Sequence, residues 1–494
     1  MNLLLVTLDQ FRADCLSAAG HPLVRTPHLD RLAAEGVRFA SHYSQATPCA
    51  PGRAALYTGT YQMNNRVVAN GSPLEDRLDN VARLGRRAGY RPALFGYTDQ
   101  GVDPATVTDP EDPRLENYEG VLPGFDPVVP LDSRFTGWLA WLESLGYGAL
   151  SPVDALNTEP DRPAGHSASA FLAGRAIEWI DQQDGPWFAH VSFWRPHPPY
   201  AAAGAWSEAY RPEEVGVPIP VADDIHPLHR MALGIPFCSA PVDPAEMARI
   251  RAQYFGMVSE VDDQLGRLVD HLRDTGTYDD TVIVVTSDHG EQLGDHGLVE
   301  KLGYFDESYH VLCIVRHPGH PGGFGRVVEE YTEAVDIVPT VAEVVGLDVP
   351  VQCDGSSLVP FLAGATPEGW RRSAHYEFDW RNFLLGPHRV SGGTDPALEQ
   401  CNLAVERTPT HAYVQFGDGS WLCFDLAADP RWHTTTTDPA VVLPLAQSML
   451  CWRSAHLGGK YTQMLLTPDR RGLWPEIEPT ARPTSGLESQ LPPA

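Results

Sequence analysis

Two short apolar runs, each closed by an acidic residue, constrain the fold of this chain most. NLLLVTLD covers residues 2–9, and TVIVVTSD covers residues 281–288. Continuous runs of aliphatic and β-branched residues are typical of strands buried on both faces, as in a parallel sheet. Ligands of such sheets bind beyond the carboxyl ends of the strands. We therefore expect Asp9 and Asp288 to meet at one edge of a sheet.

Helical patterns alternate with the apolar strands. PHLDRLAAEG, VARLGRRAG and PAEMARIRAQYFGMVSEVDDQLGRLVDHLRDTG each lead into another short apolar run. This alternation predicts an α/β sandwich over residues 1–370, with a large, mostly parallel sheet flanked by helices. Tyr97 and His197 also fall at or just beyond strand ends, so they are expected near the same edge.

The pattern changes after residue 370. HAYVQFGDGSWLCFDL reads as two strands joined by a GDG turn, and VVLPLAQSMLCWRSAH reads as a helix. We expect a smaller α+β subdomain with an antiparallel sheet over residues 371–465. Residues 466–494, rich in Pro, Ser and Glu, are predicted to form an extended arm that could serve in self-association. Residues 100–165, rich in Pro, Asp and Gly, are predicted to be loops with short helices.

Composition excludes several classes of partner. The formal net charge is −28, which disfavours nucleic acid and anionic membranes as partners. The N-terminal apolar run is too short for a signal peptide and lacks a basic flank, and nothing approaches the roughly 18 apolar residues of a membrane span. The cysteines are scattered without a CxxC pair, which indicates a reducing cytoplasm. Lysine occurs only at positions 301 and 460.

Two dipeptides at strand ends suggest a metal site. Asp9-Gln10 and Asp288-His289 offer carboxylates, an amide oxygen and an imidazole, which suit a divalent cation such as Ca, Mg or Mn. Either dipeptide alone is more often a helix N-cap. A third element, the cysteine of TPCAPGR at residues 47–53, lies outside any disulfide pattern and needs its own explanation.

Together these segments resemble a known family. C-x-P-x-R (Cys49, Pro51, Arg53), opened by LLLVTLDQFRAD and closed by TSDHGEQLGDHGLVEK, is similar to the sulfatase branch of the alkaline phosphatase superfamily. The resemblance implies an alkaline-phosphatase-like sandwich. It also implies that Cys49 is oxidised to formylglycine by a formylglycine-generating enzyme acting on the unfolded chain.

The same resemblance implies one divalent metal ion, Mn or Ca with Mg or Zn as alternatives. Carried over position by position, the resemblance implies that the ligands of this ion are Asp9, Gln10, the modified residue at Cys49, Asp288 and His289.

Departures from the sulfatase pattern point to one branch of the superfamily. Sulfatases carry an acid where this chain has Gln10, Asn where it has His289, and G-K-x-H where it has Gly96-Tyr97-Thr98-Asp99. These departures, with CxPGRAALYTG, NGSPL and RPHPPY, resemble phosphonate monoester hydrolases and phosphodiesterases. Such enzymes also cleave aryl sulfates as a side activity, and the resemblance implies a homotetramer or dimer of dimers.

Alternative functions stay open. The first is an aryl or alkyl sulfatase, since all three ester types are monoanions. The second is a non-catalytic protein that has kept the fold. The third is a phosphatase-like enzyme that uses unmodified Cys49 as a thiolate.

The resemblance also assigns roles in cleaving a small anionic ester. A hydroxyl of hydrated formylglycine at position 49 attacks phosphorus, polarised by the metal and Arg53. Lys301 offsets developing charge, and His197 is the candidate acid, with Lys301 as its rival. The second hydroxyl then allows release by elimination.

Substrate contacts are assigned to Asn70, Tyr97 and Thr98, although strict spacing would favour Asp99 over Thr98. Each assignment has an ordinary structural competitor: Arg53 could pair with a buried acid, and Asn70 precedes glycine and is a natural turn residue. His296 is expected to be a structural loop histidine.

Overall fold

The structure is a computed structural model. It describes residues 1–115, 117, 119–381 and 397–458, together with the backbone of two short strands, Leu465–Leu466 and Gly472–Leu473. Most of the predicted arm, 466–494, lies outside the described residues. Within the described part of the chain, no helix has both the length and the apolar character that a membrane span requires.

An eight-stranded sheet forms the centre of the molecule. Its strands are β1 Asn2–Leu8, β2 Val37–Tyr43, β3 Ala93–Gly96, β4 Asp126–Pro130, β5 Phe188–Phe193, β6 Thr281–Thr286, β7 Cys313–Arg316 and β8 Arg326–Glu333. Their order is β4-β3-β5-β1-β6-β7-β2-β8. All strands run in one direction except β7, which pairs antiparallel with both neighbours. The sheet is thus mixed but mostly parallel, as predicted.

Helices cover both faces of this sheet, and the last of them packs against a second, smaller sheet. They are α1 Pro27–Ala34, α2 Cys49–Thr58, α3 Gln62–Asn65, α4 Val81–Arg87, α5 Thr136–Ser144, α6 Pro152–Asn157, α7 Ala168–Ile180, α8 Pro227–Ala232, α9 Pro244–Asp274, α10 Asp306–Tyr309, α11 Ile337–Val344, α12 Val359–Leu362 and α13 Pro439–His456. Alternate residues of β1 enter two cores: Leu4 and Val6 pack with α1, α7 and α9, and Leu5 packs with α2, α4 and α11. Because both faces are buried, the strand has no polar alternation.

A second, four-stranded antiparallel sheet follows. It consists of β9 Ala374–Asp379, β10 Asn402–Arg407, β11 His411–Phe416 and β12 Trp421–Asp425, in the order β12-β11-β10-β9. Its edge strand β9 meets the large sheet, where the Glu377 backbone N–H donates to the Gln45 carbonyl at 2.8 Å. The predicted fold class is confirmed. The boundaries at 370 and 465 stay a prediction.

One strand was not expected. β4, with the sequence DPVVP, lies in the stretch predicted to be loops with short helices. It contains two prolines, which cannot donate to a ladder, and it occupies an edge of the sheet. Proline content conceals edge strands from sequence patterns.

Candidate active site

Cys49 begins helix α2 and is 4 % exposed. Its Sγ lies 3.2 Å from Nε2 of His289, which is three residues beyond the end of β6. Burial raises the pKa of the Cys49 thiol well above its usual range, and Asp9, Asp99 and Asp288 raise it further against the effect of Lys301. Since a nucleophilic cysteine needs a lowered pKa, this environment disfavours chemistry by the unmodified thiolate.

Four buried side chains around Cys49 form a metal-type cluster. Ligand atoms of Asp9, Cys49, Asp288 and His289 all lie within 4.8 Å of one another. Nε2 of His289 is 3.8 Å from Oδ1 of Asp9 and 3.6 Å from Oδ2 of Asp288. Nδ1 of His289 donates to the Gly290 carbonyl at 3.0 Å, which leaves a lone pair on Nε2.

One atom of this cluster shows that a cation fits. Oδ1 of Asp9 is buried and accepts no hydrogen bond from any residue that the structure describes. A buried acceptor without a donor is costly unless a ligand completes it. Two carboxylates and an imidazole, with one oxygen open, suit a divalent cation.

Arg53 joins the two strand-end acids. Its Nη2 donates to Oδ2 of Asp9 at 3.0 Å, and its Nε donates to Oδ2 of Asp288 at 2.8 Å. Nη1 donates to Oγ of Ser192 at 2.8 Å and to the Tyr97 carbonyl at 3.3 Å. The geometry therefore makes Arg53 a residue that holds two metal-type ligands in place. Its predicted role towards the nucleophile stays a prediction.

Two loop residues predicted to contact substrate lie beside this cluster. The Tyr97 hydroxyl donates to the Asp9 carboxylate, and the Arg53 guanidinium lies 4.2 Å from the Tyr97 ring centroid. The Thr98 hydroxyl donates to the Gly120 carbonyl and accepts from the Leu122 N–H, both at 2.8 Å. Thr98 thus ties down its loop, and its substrate contact stays a prediction.

Asn70 bonds to the first turn of the helix that Cys49 begins. Its Oδ1 accepts from the backbone N–H of Ala50 at 2.9 Å, in the first turn of α2. Asn70 is half-buried. The predicted contact with the substrate anion is not tested by this bond.

Lys301 connects three polar side chains. Its Nζ donates to Oε1 of Gln10 at 2.7 Å and to Nε2 of His197 at 3.0 Å, and it lies 3.1 Å from Oε2 of Glu300. The Gln10 amide donates in turn to the Glu291 carboxylate. The oxygen of Gln10 predicted to bind the metal therefore accepts from Lys301 here, and its metal role stays a prediction.

His197 is a neutral acceptor in this arrangement. Its Nδ1 lies 2.9 Å from the Pro198 carbonyl, so Nε2 presents a lone pair to Lys301. Burial and the charge of Lys301 lower the pKa of His197. Burial alone would lower the pKa of Lys301, but Cys49, Glu300 and Asp9 raise it well above its usual value. Lys301 thus holds the proton of this pair.

Sequence reasoning missed several of these partners. Glu291 and Glu300, within the quoted TSDHGEQLGDHGLVEK, and Ser192, on β5, bond to residues of the site but were assigned no role. Glu300 precedes the rare Lys301, a signal that could have found it. The expected loop histidine, His296, lies 3.4 Å from Glu307 and stacks on Phe305.

A metal-type cluster around a helix-starting cysteine, at the carboxyl edge of an alkaline-phosphatase-like sheet, is typical of one class of protein: hydrolases that cleave anionic esters. The family model "Sulfatase" matches residues 1–347. The chain belongs to the sulfatase family.

Individual relatives agree with this assignment. A crystal structure of a phosphonate monoester hydrolase of Agrobacterium radiobacter is 41 % identical, with a TM-score of 0.88, covering 96 % of this chain and 99 % of that one. A phosphonate monoester hydrolase from Silicibacter pomeroyi is 34 % identical, with a TM-score of 0.86 and the same coverage. The multifunctional alkaline phosphatase superfamily protein PehA of Trinickia caryophylli is 36 % identical, over 94 % of this chain and 98 % of its own length.

Proposed function

We propose that the protein hydrolyses phosphonate monoesters and phosphodiesters, with aryl sulfate cleavage as a side activity, using a divalent metal ion and a formylglycine formed from Cys49. The observation that carries this proposal is the match to two phosphonate monoester hydrolase structures, each over 99 % of its length, at TM-scores of 0.88 and 0.86. A true sulfatase is the alternative, because the family model that matches residues 1–347 is named Sulfatase.

The metal-type cluster supports the cofactor. Asp9, residue 49, Asp288 and His289 would hold the ion, and the open Oδ1 of Asp9 is its natural first ligand. When bound, such a cation supplies Lewis-acid stabilisation of negative charge on the transferred group. Arg53 keeps the two carboxylates in register, and Tyr97 restrains Asp9 from the other side.

Cys49 supports the modification. It is the cysteine of the C-x-P-x-R motif, lies within the ligand cluster and is held as a neutral thiol by its surroundings. As hydrated formylglycine, this residue supplies a hydroxyl nucleophile and a route of release by elimination. The partner that this implies is a formylglycine-generating enzyme.

Leaving-group protonation is assigned to Lys301 and His197. Nζ of Lys301 carries the proton and donates it towards Nε2 of His197, 3.0 Å away. A leaving oxygen that approaches Nζ of Lys301 would receive a proton from this ammonium, which becomes a neutral amine, while Nε2 of His197 orients Nζ as an acceptor. Glu300 and Gln10 hold Lys301 in this position.

Assembly and compartment belong to the same proposal. A homotetramer or dimer of dimers is supported by exposed Leu443 and Leu450 on α13. A cytoplasmic location is supported by Cys15, Cys238 and Cys313, which are buried free thiols.

Three aryl esters that share one leaving group test the proposal. On metal-loaded protein made with the formylglycine-generating enzyme, we expect kcat/KM for the phosphonate monoester and the phosphodiester to exceed that for the sulfate at least tenfold, about 1.4 kcal/mol. Cys49→Ala should abolish all three activities, and exposed Cys451→Ser is the matched control. If kcat/KM for the sulfate ester were instead at least tenfold higher than for the other two, the protein would be a true sulfatase.

A further inference from the structure

The loop after β3 presents one acidic side chain that the mechanism does not use. Asp99 is 5 % exposed, and its φ of 53° places it in the left-handed region. Its neighbours on both sides are bonded into the fold: Thr98 to Gly120 and Leu122, and Gln100 to Ala50. Within the described ranges, no residue donates a hydrogen bond to the Asp99 carboxylate or forms an ion pair with it.

Gln100 leaves a second acceptor open. Its Nε2 donates to the Ala50 carbonyl at 3.1 Å and to the Thr98 carbonyl at 3.2 Å, which fixes the orientation of the amide. Oε1 of Gln100 is buried and has no partner among the described residues. The Asp99 carboxylate and the neighbouring Gln100 oxygen thus both lack donors among the described residues, and the buried Gln100 oxygen is costly unless a ligand supplies one.

The position of this loop places the two acceptors at the site. Tyr97 contacts Asp9 and Arg53, and Gln100 bonds to Ala50, the residue after the nucleophile. Asp99 lies between them in the chain, and its charge raises the pKa of the Cys49 thiol. It therefore lies beside the first turn of α2.

The surroundings of Asp99 are short of positive charge. Burial raises its pKa to about 7, and Asp9, Glu119 and Asp288 add to the rise while Arg53 opposes it. Arg53 is itself committed to two other carboxylates. A ligand cation at this point would pair with the Asp99 carboxylate, which forms no ion pair with the described residues.

The bonds of the loop also indicate which part of a substrate lies there. The Tyr97 carbonyl accepts from Arg53, and the Gln100 amide donates to the Ala50 carbonyl. Lys301 and His197, which are assigned to the leaving group, bond to each other. Asp99 thus lies on the Arg53 side of the site. The substituent that stays on phosphorus would lie on that side.

We propose that Asp99 and Gln100 form a subsite for an ammonium group on the phosphorus substituent, so that monoesters of aminoalkylphosphonates are the preferred substrates. An ammonium has three N–H donors and no acceptor, which complements a carboxylate and an amide oxygen. This inference rests on the proposed function, because it refines the substrate class of the same site.

Two isosteric esters test the subsite. The probes are the 4-nitrophenyl monoesters of 2-aminoethylphosphonate and of propylphosphonate, assayed on the metal-loaded full-length enzyme. We expect kcat/KM for the ammonium ester to exceed that for the neutral ester at least tenfold. Turnover of the neutral ester tests the proposed function separately, because it does not involve the subsite charge.

Variants make the test specific. Asp99→Asn, which keeps the shape and removes the charge, should bring the ratio of the two kcat/KM values close to one. Glu119→Gln is the matched control: Glu119 is also buried and acts on Asp99, but it accepts from Ser133 and should leave the ratio within about twofold. A ratio near one in the parent enzyme, or a preference that survives in Asp99→Asn, would overturn the proposal.

Discussion

Two arginines in this molecule are each held between two buried carboxylates, and the two sites are built differently. Arg53 joins two acids at the carboxyl edge of the large sheet. Arg371 joins two acids beside the junction of the large and small sheets. Burying an ion pair costs free energy that only complete hydrogen bonding offsets. The sites differ in how complete that bonding is.

At the Arg371 site, the acceptors are filled. Asp336 accepts from both terminal nitrogens of Arg371 and from the backbone N–H of Glu333 at 2.8 Å. Glu333 accepts from the Tyr61 hydroxyl at 2.6 Å and from the His375 N–H at 2.7 Å. A network satisfied in this way stabilises the fold and has no capacity left for a ligand.

At the Arg53 site, one acceptor stays open. Oδ1 of Asp9 lacks a donor among the described residues, and Nε2 of His289 faces the Cys49 thiol. The same ion-pair chemistry thus gives a structural support in one place and a ligand site in the other. What separates these two sites is therefore the unfilled acceptor and not the buried charge, which both have.

The largest expected effect is on catalysis at Arg53. Arg53→Lys keeps the charge but cannot reach Asp9 and Asp288 together, because lysine lacks the planar fork. We expect kcat/KM for an aryl phosphonate monoester to fall at least ~1,000-fold, about 4 kcal/mol. Steady-state kinetics on metal-loaded protein measures this. A fall of less than tenfold would mean that the carboxylates do not need Arg53 for their placement.

The same substitution at the other arginine should separate stability from activity. Arg371→Lys loses the two-pronged bond to Asp336, and we expect the free energy of unfolding to fall by about 2–3 kcal/mol. The kcat/KM of the folded variant should stay within about threefold of the parent. Urea unfolding and kinetics on one preparation check both. A loss of activity as large as that of Arg53→Lys would break the comparison.

Much of the fold could be predicted from the sequence. Continuous apolar runs identified β1 and β6 because both faces of those strands are buried, and their terminal acids lie in one cluster. β4 escaped because of its prolines. The reversed direction of β7 escaped because a buried strand has the same pattern in either direction.

The site was less accessible to sequence reasoning. Residue types and strand ends indicated which side chains gather, but not which partner each one takes. Gln10 bonds to Lys301 and Asn70 to a backbone N–H, and neither pairing follows from spacing. Thr98 is bonded into its loop, whereas the adjacent Asp99, with a left-handed backbone, has no partner among the described residues, and spacing does not predict this difference.

The smallest expected effect concerns Glu260. This buried acid forms no ion pair with an arginine among the described residues, so it extends the comparison to a carboxyl held by hydroxyl groups. Glu260 on α9 accepts from the Ser167 and Ser169 hydroxyls at 2.6 and 3.1 Å. Burial, with Glu159 adding, raises its pKa to about 8 against the effects of these hydroxyls and Arg195. A carboxyl with a raised pKa in the folded state contributes stability below its unfolded pKa, and that stability is lost as pH rises towards the folded value.

Glu260→Gln should therefore lose less stability than the parent between pH 5 and pH 9. Between pH 5 and pH 9, we expect the free energy of unfolding of the variant to rise by about 1–2 kcal/mol relative to that of the parent. Most of this change should fall between pH 5 and pH 8. Urea unfolding at the two pH values measures it, with exposed Glu143→Gln as the matched control. An equal pH response in parent and Glu260→Gln would show that two hydroxyl donors satisfy a buried carboxylate as fully as an arginine does.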